Sequence, residues 1–112
     1  MPPAETRTEA PPCHFIITRR DLPLGPLAAQ VAHAAGNSSP GNLPEHTIAV
    51  VLGVPDEPAL ESVAKRLTLA GAEFVRIVED DAPYHGQLMA IGCKPGRKEV
   101  IGRSLSGLPL LR

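Results

Sequence analysis

The chain of 112 residues has few aromatic side chains, little net charge and no long apolar run, and each shortage excludes a class of protein. Aromatic residues make up 3% of the sequence and Trp is absent. This argues against a module that binds single-stranded nucleic acid by stacking bases on aromatic platforms. The formal net charge of −1 excludes a uniformly basic nucleic-acid binder, though not a local basic patch.

Cysteines and metal-ligand patterns are equally sparse. The two cysteines, Cys13 and Cys93, are too few for a disulfide framework or a four-thiolate zinc site, and we interpret them as free thiols in a reducing cytoplasm. The four histidines show no ligand spacing, so we expect no metal and no cofactor. No stretch approaches the roughly 18 apolar residues of a membrane span, so we expect no membrane association.

Proline is abundant, with 13 residues. Four of them lie in residues 1–12 (MPPAETRTEAPP), a segment that lacks the apolar centre of a signal peptide. We expect 1–12 to be a disordered tail and 13–112 to form a single domain. The other prolines fall between apolar runs, where they interrupt neither a strand ladder nor a helix interior.

The runs between the prolines predict seven elements. Helix B has the clearest pattern, because Asp56 suits an N-cap and apolar residues follow at the i, i+3, i+4, i+7 spacing of one buried stripe. Strand 2 is continuously apolar, which is typical of a strand covered on both faces. The predicted elements are strand 1 (15–18), helix A (26–35, with Pro26 first), strand 2 (47–54), helix B (from Asp56 to Gly71 at C′), strand 3 (74–78), strand 4 (87–92) and helix C (97–105).

The order β-α-β-α-β-β-α predicts a three-layer α/β/α domain on a four-stranded mixed sheet. Strands separated by helices form parallel crossovers, whereas the helix-free loop 79–86 makes strand 4 antiparallel. Ligands of such sheets bind beyond the carboxyl ends of the strands. Here those ends carry the 19–25 loop with the start of helix A, and the 79–86 loop.

Several polar residues at that end are candidates for chemistry. Gln30 and His33 are three residues apart, and the spacing predicts a shared helix face. Each candidate also has a purely structural interpretation: His33 as a hydrogen-bonded tie between helix and loop, Asp80 and its neighbour as a solvated loop pair, and Asp21 as a turn residue.

The segment FIITRRDLPLGPLAAQVAHAA (15–35) resembles the first strand and helix of the peptidyl-tRNA hydrolase 2 family, which carries an Arg-x-Asp-Leu stretch followed by Ala-Ala-Gln-x-x-His-Ala. The stretches 54–82, 87–96 and 100–111 resemble the family's second crossover, last strand and C-terminal tail. The resemblance implies a cytoplasmic enzyme that hydrolyses the ester between a peptide and tRNA. It also implies that Gln30, His33 and Asp80 line the catalytic site, and that a homodimer is plausible.

The chain departs from the family at Pro26, which stands where the family has a lysine, and in the short polar connection 36–46, where the family usually has a helix. A non-catalytic RNA- or protein-binding module, or a hydrolase with a changed substrate, therefore remain alternatives. Residues 94–112 carry a net charge of +4 and residues 1–93 a net charge of −5. The basic segment is either an RNA-facing patch or a solvated helix end. The expected substrate-binding residues are Arg19, Arg20, Asp21, Lys94, Arg97 and Lys98.

Overall fold

The structure is a computed structural model that describes residues 10–112. It contains four strands and three helices in the predicted order. Their bounds are β1 (Cys13–Arg19), α1 (Leu24–Ser38), β2 (Ile48–Val54), α2 (Glu57–Leu69), β3 (Phe74–Val78), β4 (Leu88–Cys93) and α3 (Lys98–Ile101). None of the helices in this range combines the length and apolarity needed to cross a bilayer.

The four strands form one mixed sheet in the order β2-β1-β4-β3. β1 runs parallel to β2, and β4 runs antiparallel to both of its neighbours, as the sequence predicts. A large apolar cluster lies between the sheet and α2, and a smaller one lies on the α1 side. The α/β/α layering of the prediction is therefore confirmed.

The start of each long helix follows from local sequence. Asp56 caps α2, where its carboxylate accepts a hydrogen bond from the Ala59 N–H at 3.1 Å. Gly71 follows α2 with φ +72, as expected of a C′ glycine. α1 begins at Leu24, two residues before the predicted start, so Pro26 is the third residue of the first turn. Its missing N–H still removes no helical hydrogen bond there.

Other predicted bounds need correction. Helix C was expected over 97–105, but α3 ends at Ile101 and turns follow it, because Gly102 lies where the helix would have to continue. β2 is an edge strand, so its first half is not covered on both faces, and Ile48 is 47% exposed. The C-terminal segment pairs with the second half of β2 through the antiparallel bridge between Leu52 and Leu110.

The predicted tail, residues 1–12, lies only partly within the described residues. Residues 1–9 lie outside the described residues. Pro11 and Pro12 are half-buried, and the Pro12 carbonyl accepts a hydrogen bond from the Ile48 N–H at 2.9 Å. The sheet thus engages the chain one residue before β1 begins.

Candidate functional site

The carboxyl end of β1 is organised around a buried arginine. Arg19 is 6% exposed and binds the Asp21 carboxylate in a bidentate ion pair, with Nε–Oδ1 and Nη2–Oδ2 distances of 2.7 and 2.9 Å. Its Nη1 donates to Gln87 Oε1 at 2.8 Å and to the Leu88 carbonyl at 3.3 Å. The guanidinium also lies 5.6 Å from the ring centroid of Tyr84. Arg19 therefore joins the β1–α1 loop to the start of β4.

The ion pair changes the titration of both partners. The hydrogen bonds from Arg19 lower the pKa of Asp21 below its ordinary value, and the same hydrogen bonds raise the pKa of Arg19. Asp21 is thus a stable anion whose charge is already balanced by Arg19. We expected both residues to bind substrate, but the structure uses most of the donors of Arg19 within the protein.

Gln30 occupies the buried face of α1 at the same end of the sheet. It is 6% exposed, and its side-chain Nε2 donates to Glu79 Oε2 at 3.2 Å. The other carboxylate oxygen of Glu79 accepts the backbone N–H of Asp80 at 2.9 Å. Gln30 Oε1 is buried and has no hydrogen-bond partner. The result is a half-buried carboxylate whose orientation is held from two sides.

The main chain of Glu79 is fixed as well. Its N–H donates to the Gln87 carbonyl at 3.0 Å, and its carbonyl accepts the Gly86 N–H at 2.8 Å. These two bonds close the base of the β3–β4 loop. The carboxylate that Gln30 contacts is therefore attached to a constrained point of the chain, directly after β3.

The predicted catalytic trio is only partly brought together. Gln30 and His33 both lie in α1, but the helix buries Gln30 together with Ala34 and leaves His33 exposed. Asp80 is also exposed and contributes its backbone N–H to Glu79. Glu79 was not a predicted site residue, although its position directly after a strand end could have identified it.

The six expected substrate-binding residues do not form one site. Arg20 is exposed at the carboxyl end of β1, where its aliphatic stem lies over Gly53. The other three cations follow the opposite end of β4, near the paired residues Cys13 and Gly96. A seven-residue β1 separates the two ends by roughly 20 Å at the usual rise per residue. The cations at that far end are Lys94, Arg97 and Lys98.

The cations at the far end also have acidic neighbours. Lys94 Nζ lies 3.5 Å from a Glu73 carboxylate oxygen, and Arg97 is paired with Glu99 at 3.0 Å. The expected substrate-binding residues thus form two groups, and the basic group of the C-terminal segment lies apart from Arg19, Arg20 and Asp21. The antiparallel direction of β4, together with the length of β1, accounts for the separation.

The charge at the carboxyl end of the parallel strands, where the candidate site lies, is mainly negative. Six carboxylates stand there against two arginines, one of which is already paired with Asp21. The carboxylates belong to Asp21, Asp56, Glu57, Glu79, Asp80 and Asp81. Within residues 10–112, no three His, Cys, Asp or Glu side chains are grouped to hold a metal ion. The arrangement suits general-base chemistry by a carboxylate and is unfavourable for a polyanion.

Comparison with known proteins adds the fold alone. No family model and no curated protein matches the chain. Among solved structures it is similar to a protein of unknown function, Atu0240, from Agrobacterium tumefaciens strain C58. The TM-score is 0.60 at 13% sequence identity, over 93% of this chain and 100% of that chain. At this identity the similarity establishes a shared fold.

Proposed function

We propose that the chain is a peptidyl-tRNA hydrolase-like enzyme that hydrolyses a carboxylic ester at the carboxyl end of its sheet. The observation that carries the proposal is the contact of buried Gln30 with the Glu79 carboxylate. The Ala-Ala-Gln-x-x-His-Ala motif, from which the family resemblance was drawn, contains this same glutamine. A carboxylate at the strand end can act as the general base that activates water for ester hydrolysis.

In this proposal Glu79 activates the water, in place of Asp80 of the catalytic trio that the resemblance implies. Each carboxylate oxygen of Glu79 already accepts one hydrogen bond, and each retains a lone pair that can accept a proton from water. Gln30 holds the carboxylate in one orientation, so it acts as a positioning residue. His33, exposed on the adjacent side of α1, is free to assist proton transfer to the leaving group.

The attack of water on the ester carbonyl transfers one proton to Glu79 and generates an oxyanion. When the oxyanion collapses and the alcohol leaves, the proton held by Glu79 is transferred to the leaving oxygen. An oxyanion requires donors nearby, and loss of one such donor costs roughly 10²–10³ in rate. Pro26 stands where the family has a lysine, so the side-chain ammonium that would stabilise the oxyanion is missing and we expect slow turnover. Arg20 is the exposed cation at this end of the sheet.

A second candidate is a hydrolase whose ester substrate carries no nucleic acid. The excess of carboxylates at the carboxyl end of the sheet favours this candidate, because a phosphate backbone would be repelled there. The cations available to attract tRNA, Lys94, Arg97 and Lys98, lie at the opposite end of the sheet. A non-catalytic binding module on the same scaffold is the remaining alternative.

Release of the peptide from a peptidyl-tRNA tests the proposal, with a small N-acyl amino acid ester run in parallel. We expect turnover by the wild type and a large loss in Gln30→Ala. Gln87→Ala is the matched control, because Gln87 lies at the same end but binds Arg19. Faster turnover of the small ester would favour the second candidate. No turnover of either ester by the folded wild type would contradict hydrolysis and leave the binding module.

A further inference from the structure

A cavity of about 290 Å³ lies at the end of the sheet opposite to the candidate site. Three segments enclose it: residues 70–73 between α2 and β3, residues 93–97 at the end of β4, and residues 100–104 of α3 and the turn after it. The first two segments are joined, because the Lys94 N–H donates to the Glu73 carbonyl at 3.0 Å. Ligand pockets commonly measure about 300–1,000 Å³, so this cavity has room for a small molecule.

The inner wall of the cavity is apolar. Cys93 is 1% exposed, and burial raises the pKa of its thiol to about 12, so the thiol is uncharged at neutral pH. Ala72 and Ile101 are half-buried and pack against the large apolar cluster. Ile101 also covers Gly96, since a Cβ at Gly96 would lie 3.1 Å from the Cδ1 atom of Ile101. This wall can contact the apolar body of a ligand and offers it no charged partner.

Positive charge is in excess around the opening of the cavity. A neighbouring groove, lined partly by the same residues, continues over α3 and adds Arg103. Together the two linings contain three cations against two carboxylates, which leaves one positive charge unbalanced. The cations are Lys94, Arg97 and Arg103, and the carboxylates are Glu73 and Glu99.

The acidic neighbours do not use up the donors of these cations. The Lys94–Glu73 and Arg97–Glu99 pairs are both largely exposed to solvent, where an ion pair contributes little. Glu99 contacts Nε and Nη2 of Arg97, so Nη1 remains available. Arg103 is exposed and forms no ion pair with another residue of the range 10–112. Both guanidinium groups therefore have donors to offer to a ligand anion.

Val100 adds an apolar surface next to these cations. It is 65% exposed and lines both the cavity and the groove. A phosphate backbone is bound by several cations and gains nothing from apolar surface. A single excess charge beside apolar residues suits one carboxylate on a short apolar chain.

We propose that this cavity is a binding site for a small amphipathic monocarboxylate. The apolar chain of the ligand lies against Cys93, Ala72 and Ile101, and its carboxylate accepts hydrogen bonds from Arg97 and Arg103. Arginine suits this role because its planar guanidinium matches the geometry of a carboxylate. The cavity lies at the opposite end of the sheet from the candidate site, so the proposal does not depend on ester hydrolysis.

Titration of the full-length chain with octanoate, followed through the backbone amide signals in NMR spectra, tests the proposal. Octanol and octylammonium are the matched probes, because they carry the same kind of chain with no charge or with a positive charge. We expect saturable shifts of residues 70–73 and 93–104 with octanoate, weaker binding of octanol and no binding of octylammonium.

Substitutions at the opening of the cavity test the role of the cations. Arg97→Gln and Arg103→Gln should each raise the Kd for octanoate roughly tenfold, as expected for the loss of one hydrogen bond to a charged group. Lys65→Gln is the matched control, because it also removes one exposed positive charge but lies on α2 outside the cavity. This control should keep the wild-type Kd, and the amide spectra should show all three variants folded.

Three results would overturn the proposal. The absence of saturable shifts in these residues below the micelle concentration of octanoate would exclude the site. Equal Kd values for octanoate and octanol would show that the cations do not bind the carboxylate. Weakening by Lys65→Gln as large as that by Arg97→Gln and Arg103→Gln would reduce the effect to the net charge of the protein.

Discussion

The side-chain amide of Gln30 donates a hydrogen bond to the carboxylate of Glu79 at 3.2 Å, and so joins α1 to the end of β3. Because Glu79 Oε1 also accepts the Asp80 N–H, the carboxylate is held by two donors. The neighbouring carboxylate of Asp80 is exposed. Of the two, Glu79 is the one with a defined orientation, and it is therefore the better candidate for activating water.

Removal of the carboxylate charge at Asp21 should weaken the fold at neutral pH. In Asp21→Asn the buried Arg19 loses its ionic partner, and hydrogen bonds to charged groups are typically worth about 1.5–3 kcal/mol. We expect a loss of this order in the free energy of unfolding, measured with urea at pH 7. An unchanged unfolding midpoint would show that Arg19 does not depend on Asp21.

The same ion pair predicts a pH dependence. The folded-state pKa of Asp21 lies below its ordinary value of 3.8 because Arg19 donates hydrogen bonds to it. Its contribution is therefore complete above that value and is lost as the pH falls through the folded-state pKa. The difference in unfolding free energy between wild type and Asp21→Asn should be full at pH 7 and shrink below pH 3.8. A difference independent of pH would contradict the ion pair.

His14 should make stability fall in mildly acidic solution. It is 4% exposed, its Nε2 lies 2.7 Å from Ser38 Oγ, and burial lowers its pKa from the ordinary value of 6.5. Below pH 6.5 the unfolded chain takes up a proton that the folded chain resists, so stability is complete above 6.5 and declines as the pH falls toward the folded-state pKa. Urea unfolding between pH 7.5 and 5 checks this, and His14→Gln should remove this part of the decline.

Gly92 should tolerate no side chain. A Cβ there would meet the Ala34 carbonyl oxygen and the Ser38 hydroxyl of α1, so Gly92→Ala forces the helix away from β4. We expect a loss of about 1–3 kcal/mol, the usual cost of overpacking. Gly36→Ala is the matched control, since nothing lies within 4 Å of its Cβ position and it is also part of α1. Thermal unfolding should show a lower Tm for Gly92→Ala and no loss for Gly36→Ala.

Most of the fold could be predicted from sequence because its signals are local. The apolar stripe from Leu60 to Leu67, with Asp56 before it and Gly71 after it, identifies α2 without any knowledge of the sheet. The absence of a helix between β3 and β4 likewise implies their antiparallel pairing. The exposure of Ile48 could not be predicted in this way, since it depends on the strand order, in which β2 is at an edge.

The candidate site was less accessible to sequence reasoning, because it depends on side-chain contacts between distant segments. The end of the sheet and the importance of Gln30 were expected, but its contact with Glu79 spans 49 residues. The ion pair of Lys94 with Glu73 at the opposite end of the sheet could not be predicted for the same reason. Spacing along one helix predicted a shared face for Gln30 and His33, whereas packing against the sheet buries only Gln30.

The central claim is that Glu79, oriented by Gln30, activates the water that attacks the ester. The most direct measurement is kcat/KM for peptide release from peptidyl-tRNA by wild type, Glu79→Gln and Asp80→Asn. The two variants each remove one neighbouring carboxylate charge at nearly constant size. We predict a loss of roughly 10²–10⁴-fold for Glu79→Gln, as expected for a general base, and a value close to wild type for Asp80→Asn. A full loss in Asp80→Asn with activity retained in Glu79→Gln would contradict the account.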